Sequence, residues 1–174
     1  EKLETPSFEL ICADTQSGKT NQGIIAPTVA RLGPNSVTII VLPSRLSIAE
    51  QTISWFQRPI LDCDNLQLLS ESERELCKDF TGLALDRIVR WDTGNRGVRT
   101  FPKDIEIAST VESIENDEVD VVLVLDNPTG ISKLTALLYE LDSMVDVQLI
   151  IDEVHMVLNL DYGQLRDRKV IMKE

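Results

Sequence analysis

The chain has 174 residues, about the length of one domain, with 43% apolar and 26% charged residues, as is typical of a globular protein with a core. Its net charge of −12 argues against strong autonomous binding to nucleic acid, because nucleic-acid-binding surfaces are normally basic. It has no apolar run of about 18 residues and its first residues lack a secretion signal, so we expect an intracellular protein (cytoplasm or nucleus) without membrane contact.

The first predicted elements are a strand, a loop and a helix. Residues 8–13 form a short apolar run typical of a buried strand, and residues 14–18 form a polar loop. A helix is predicted from Lys19 to about Leu32, closed by Gly33 and the proline that follows it. Pro27 removes a helical hydrogen bond, so we expect a kink there or two short helices.

The rest of the chain alternates between strands and helices. Three runs are continuously apolar, which predicts strands buried on both faces: 37–42, 119–125 and 147–151. A shorter strand is predicted at 87–91. Helices are predicted at 47–56, 70–80 with Ser70 or Ser72 as N-cap, 104–116 and 132–141. This alternation predicts a single α/β domain over residues 1–174, built on a doubly wound parallel sheet with helices on both faces.

The basic residues and the cysteines give two further predictions that a structure can check. Five basic residues fall close together and form either a solvated surface or a local basic patch: Arg87, Arg90, Arg96, Arg99 and Lys103. Three cysteines without CxxC spacing are expected to be free thiols in a reducing compartment: Cys12, Cys63 and Cys77.

The loop after the first strand has the composition of a phosphate-binding loop. Its residues are Ala13, Asp14, Thr15, Gln16, Ser17, Gly18, Lys19 and Thr20. They fit the pattern G-x-x-x-x-G-K-[ST], except that Ala13 replaces the first glycine. Backbone N–H groups and the helix N-terminus would surround the phosphates, Lys19 would contact the β- and γ-phosphates, and the Thr20 hydroxyl would bind Mg²⁺. Because no N-K-x-D element for guanine is present, ATP is the expected nucleotide.

An acidic pair follows the last predicted strand. Asp152 and Glu153 lie where ligands of parallel sheets bind, outside the carboxyl ends of the strands. Asp152 could hold Mg²⁺, and Glu153 could orient or deprotonate an attacking water. His155 could couple the nucleotide site to a neighbouring domain. Taken alone, the pair also fits an ordinary polar turn, and the histidine a surface or partly buried residue.

These motifs together resemble the first RecA-like domain of superfamily-two helicases of the DExH type. Residues 13–20 are similar to the family's first motif, and Asp152-Glu153-Val154-His155 is similar to its D-E-x-H motif. Between them, two further elements resemble the P-T-R-E-L-A-x-Q and T-P-G-R elements of the family. They consist of Pro43, Ser44 and Arg45, and of Asn127, Pro128, Thr129 and Gly130.

The resemblance implies a RecA-like fold, ATP hydrolysis and a nucleic-acid partner. It implies that Lys19, Thr20, Asp152, Glu153 and His155 belong to the Mg-ATP site. It also implies that a nucleic-acid strand is bound by Pro43, Ser44, Arg45, Pro128, Thr129 and Gly130. Such proteins have a second RecA-like domain in the same chain that supplies arginine fingers, so we expect this chain to be part of a longer protein. The two intermediate elements depart from the family pattern. The first also fits a strand-to-helix turn, and the second a tight turn.

Two other functions fit the same residues. The acidic balance and the divergent intermediate elements are compatible with a P-loop ATPase that remodels protein complexes or acts as a regulatory switch. A non-enzymatic nucleotide-binding module is a third hypothesis. For the isolated chain we expect ATP binding with little turnover.

Overall fold

The computed structural model describes residues 20–91 and 97–152, and within them four strands form one sheet. All three pairings between neighbouring strands are parallel, and the order across the sheet is β2-β3-β1-β4. The strands are β1 (Ser36–Leu42), β2 (Ile88–Arg90), β3 (Val121–Leu125) and β4 (Asp146–Ile151). The parallel α/β sheet predicted from the apolar runs is therefore confirmed, whereas the strand predicted at 8–13 lies outside the described residues.

In the described part of the chain, five α-helices connect and cover these strands. Their bounds are α1 (Ala26–Ala30), α2 (Leu46–Phe56), α3 (Glu71–Asp79), α4 (Glu106–Glu115) and α5 (Pro128–Glu140). A π-helical turn, Asn21–Ile25, precedes α1, and two 3₁₀ turns lie at Cys63–Asn65 and Leu85–Arg87. None of the helices in this described part of the chain has the length and apolar character needed to cross a membrane.

Helices pack on both faces of the sheet. Side chains of successive strand residues point to opposite faces, so Ile40 and Leu42 lie on one face while Ile39 and Val41 lie on the other. Residues of α1, α2 and α3 share a buried cluster with the first pair. Residues of α4 and α5 share a second cluster with the other pair. This arrangement confirms the prediction of helices on both faces, and it explains why the strands are continuously apolar.

The hydrogen-bond pattern of the first helical segment changes from π-helical to α-helical just before Pro27. The turn before it is π-helical, with the Ala26 N–H bonded to the Asn21 carbonyl, and α1 begins at Ala26 with Pro27 in its first two positions. Pro27 has no N–H to donate, and the change in hydrogen-bond pattern just before it accommodates this loss. The prediction of two short helical pieces is confirmed.

Helix α5 begins four residues before its predicted start at residue 132. Asn127 is its N-cap: its side-chain oxygen accepts a hydrogen bond from the Gly130 N–H (2.9 Å), and Pro128 occupies the first turn. An asparagine N-cap followed by proline is a strong helix start. The interpretation of residues 127–130 as an isolated tight turn was therefore wrong, because these residues form the cap and first turn of α5.

Three of the five clustered basic residues are paired within the protein or buried. Arg87 forms a two-point contact with the Asp120 carboxylate, which raises the pKa of the guanidinium. Arg99 donates to the Asp86 carbonyl (2.9 Å) and pairs with Glu118. Arg90 is only 2% exposed. Both interpretations were therefore wrong for these three arginines. Lys103 is exposed, as expected of a solvated residue, and Arg96 lies outside the described residues.

The thiols of Cys63 and Cys77 are free, as predicted, and both are buried. Burial raises the pKa of both, that of Cys77 to about 11, so both are protonated and unreactive near neutral pH. Cys12 lies outside the described residues.

Candidate functional site

The carboxyl end of β1 leads directly into one of the predicted nucleic-acid elements. The strand ends at Leu42, Pro43 follows, and the Arg45 N–H bonds to the Pro43 carbonyl (2.6 Å). Arg45 has extended backbone angles at the N-cap position of α2, and its carbonyl accepts from the Ile48 N–H (3.0 Å). Ser44 and Arg45 are exposed. This strand-to-helix junction therefore presents a hydroxyl and a guanidinium at the edge of the sheet.

The second predicted element lies beside the first, at the end of β3. The Asp126 N–H bonds to the Leu42 carbonyl (2.7 Å), which extends the pairing of β3 with β1 past the last strand residue. The Asn127 side-chain amide then donates to the Ser44 hydroxyl (3.2 Å). Two segments that are 83 residues apart in sequence are thus joined by a side-chain hydrogen bond. Pro128 and Thr129 continue from this contact as exposed residues in the first turn of α5.

Close approach of α5 to the sheet requires glycine at position 130. A Cβ at this position would lie 2.2 Å from the Leu125 carbonyl oxygen and 3.3 Å from a side-chain carbon of Val124. The family element has arginine in this region, but the space here admits no side chain without movement of backbone. Gly130 therefore has a packing role that the sequence comparison did not reveal.

Asp152 completes the same edge from the other side of β1. Strand β4 ends at Ile151, and the Asp152 N–H bonds to the Val41 carbonyl (2.9 Å). Asp152 is partly buried. The carboxyl ends of β3, β1 and β4 thus place three predicted segments along one edge, where ligands of parallel α/β sheets bind.

The predicted Mg-ATP site is described only in part. Thr20 precedes the π-helical turn, and its side chain makes no capping hydrogen bond. Its hydroxyl and the Asp152 carboxylate are oxygen ligands of the type that Mg²⁺ prefers, so both residues fit the ion. The other predicted residues lie outside the described part of the chain: Ala13, Asp14, Thr15, Gln16, Ser17, Gly18, Lys19, Glu153 and His155. Within residues 20–91 and 97–152, no group of three or more His, Cys, Asp or Glu residues could hold a metal ion.

Three residues at this edge were not among the predicted site residues. Asn127 joins the two elements described above, while Trp91 follows β2 and Lys133 lies one turn into α5. Trp91 and Lys133 line an open pocket of about 440 Å³ together with the first turn of α5. An asparagine before proline could have indicated a cap, but the pairing of Trp91 with Lys133 depends on tertiary structure.

The structure thus defines a parallel α/β protein with polar segments collected at the carboxyl edge of its sheet. Comparison of the chain with protein-family models, with curated proteins and with solved structures yields no match. The resemblance to superfamily-two helicases accordingly rests on the motif residues alone.

Proposed function

We propose that this chain is the Mg-ATP-binding lobe of an ATP-dependent nucleic-acid helicase or translocase. The observation that carries the proposal is the hydrogen bond between Asn127 and Ser44, at an edge that also holds Asp152. Parallel strands end on the same side of a sheet, so the fold itself brings these segments to one edge. The side-chain contact between the two elements, next to Asp152, supports the proposal because both elements would have to act on one strand.

In this proposal the P-loop residues hold the phosphates and the acidic pair acts on the attacking water. Lys19 would contact the β- and γ-phosphates, and Thr20 and Asp152 would hold Mg²⁺, which would supply positive charge near the phosphates. Glu153 orients or deprotonates the water, and His155 links the nucleotide site to a neighbouring domain. The nucleic-acid backbone lies across Ser44, Arg45 and the first turn of α5.

Efficient turnover is expected to need a second RecA-like domain. An arginine finger from such a domain contributes on the order of 10³–10⁵ in rate. The isolated chain should therefore bind ATP and hydrolyse it slowly. Rapid hydrolysis by residues 1–174 alone, abolished by Glu153→Gln, would contradict the requirement for a second domain.

The test measures ATP hydrolysis by the protein with and without single-stranded and duplex nucleic acid, at several salt concentrations. We expect stimulation by nucleic acid that is weakened by Arg45→Ala. The matched control is Arg58→Ala, because Arg58 is also exposed but follows the opposite end of α2. Failure of every strand to stimulate hydrolysis would overturn the helicase function.

A P-loop ATPase that remodels protein complexes is the second candidate. The observation that favours it is the internal pairing of Arg87 and Arg99 together with the net charge of −12, which leaves less positive charge for phosphates. If Arg45→Ala changed neither hydrolysis nor any nucleic-acid effect while partner binding persisted, this second candidate would replace the first.

A further inference from the structure

The open pocket at the carboxyl edge lies directly beside the proposed strand path. It is bounded by Trp91 after β2, Leu125 at the end of β3, and Pro128, Thr129 and Lys133 of α5. Its volume of about 440 Å³ is within the range of pockets that bind small molecules. Residues of α5 that line it also belong to the proposed strand path, so a group attached to the strand could enter it.

The Trp91 ring is held in a fixed orientation. Its Nε1–H donates to the Thr110 hydroxyl (3.1 Å), and Thr110, which is fully buried, in turn donates to the Glu106 carbonyl (2.6 Å). The ring also packs against the buried cluster between the sheet and helices α4 and α5. Because the polar atom of the indole is satisfied on the protein side, the surface left for the pocket is aromatic hydrocarbon.

The positive charge at the pocket is neutralised by a carboxylate of the protein itself. Lys133 is the cation among the described residues that line the pocket, and its Nζ contacts the carboxylate of Glu106, which is 4% exposed. The same Nζ lies 5.9 Å from the centroid of the Trp91 ring. Because Glu106 neutralises this ammonium group, the pocket favours a flat uncharged group over a phosphate.

We propose that the pocket receives an unpaired nucleobase, which packs against Trp91 while its sugar–phosphate backbone lies along Ser44, Arg45 and Thr129. This inference rests on the proposed function, because it assumes that a single strand crosses this edge. Contact of a base with an aromatic ring is tolerant of sequence and contributes about 5- to 150-fold in affinity per base.

The experiment uses tryptophan fluorescence of the chain at low salt. The chain has two tryptophans, and Trp55→Phe leaves Trp91 as the only one. Trp55 is an exposed residue of α2, outside the proposed pocket. The probes are oligothymidylate, oligouridylate and an abasic strand of the same length, which keeps the sugar–phosphate backbone but lacks bases.

We expect both base-bearing strands to quench Trp91 fluorescence, and the abasic strand to bind about 10-fold more weakly without quenching. Against the unaltered chain, Trp91→Leu should weaken binding of oligothymidylate about 10-fold, whereas Trp91→Phe should retain most of the affinity. Thermal unfolding of each variant shows whether it is folded. The comparison of strands uses Trp55→Phe, in which every pocket residue is unchanged, so it stands even if a Trp91 variant fails to fold.

Equal binding by the abasic strand, with unchanged fluorescence, would overturn the base pocket and leave the proposed strand path in place. Absence of binding by every strand would overturn both the pocket and the nucleic-acid part of the proposed function. Binding of Mg-ATP, measured separately on the same preparation, would then decide whether the nucleotide site stands without a nucleic-acid partner.

Discussion

Gly130 shows how a single residue fixes the geometry of the proposed strand path. Its missing side chain lets the first turn of α5 approach the end of β3, and the Leu125 carbonyl oxygen occupies the space that a Cβ would need. The same residue donates its N–H to Asn127, which in turn contacts Ser44. A change at Gly130 therefore acts on the contact between the two elements as well as on packing.

We predict that Gly130→Ala lowers the free energy of unfolding by about 1–3 kcal/mol, because the added methyl group would force backbone to move. The matched control is Gly33→Ala, since a Cβ at Gly33 meets no atom within 4 Å. Denaturant unfolding of both variants measures the difference. A neutral Gly130→Ala variant would show that α5 can shift freely and that its position at the edge is not fixed.

Helix α3 illustrates how local sequence chemistry fixes an element. Ser70 is its N-cap, with a side chain that accepts from the Glu73 N–H (3.3 Å), and Glu73 accepts from the Ser70 N–H (2.8 Å). This reciprocal pair is a capping box, which satisfies two N–H groups that the helix itself leaves without partners. Hydrogen bonds from the Ser70 side chain and backbone hold the pKa of Glu73 below its ordinary value of 4.5.

We predict that Ser70→Ala lowers the free energy of unfolding by about 1 kcal/mol at pH 7. The carboxylate of Glu73 has a lowered pKa in the folded protein, so its contribution is present above pH 4.5 and is lost as the pH falls through that lower value. The cost of Ser70→Ala should therefore be smaller in acid than at pH 7. Ser132→Ala, an exposed serine within α5, is the control. An equal cost at both pH values would contradict the role of the carboxylate.

Most elements could be predicted from sequence because their signals are local. The apolar runs of β1, β3 and β4 predicted these strands to within two residues at each end, and Ser70 was one of the two predicted caps. The start of α5 was mispredicted because Asn127-Pro128 also fits a turn, and packing of α5 against β3 decides between the two. Burial of Arg90 and the Trp91–Thr110 hydrogen bond depend on partners distant in sequence, so no local pattern reveals them.

At the scale of the whole molecule, a two-faced parallel sheet places its functional candidates at one edge. The carboxyl ends of β3, β1 and β4 carry Asn127, Ser44 and Asp152, while helices cover both faces. The sequence predicted this arrangement because parallel strands end on the same side of a sheet. The proposed nucleotide chemistry would depend on Lys19 and Glu153, which lie outside the described residues.

Binding of Mg-ATP to the chain is the most direct test of the central claim, that residues 13–20 form a phosphate loop. The measurement is calorimetric titration of ATP with and without Mg²⁺ for the unaltered chain, Lys19→Ala and the exposed-lysine control Lys103→Ala. Loss of a charged hydrogen bond to phosphate should weaken binding by Lys19→Ala about 10- to 150-fold, while Lys103→Ala binds normally. Undetectable binding by the unaltered chain, or equal affinity in Lys19→Ala, would contradict the claim.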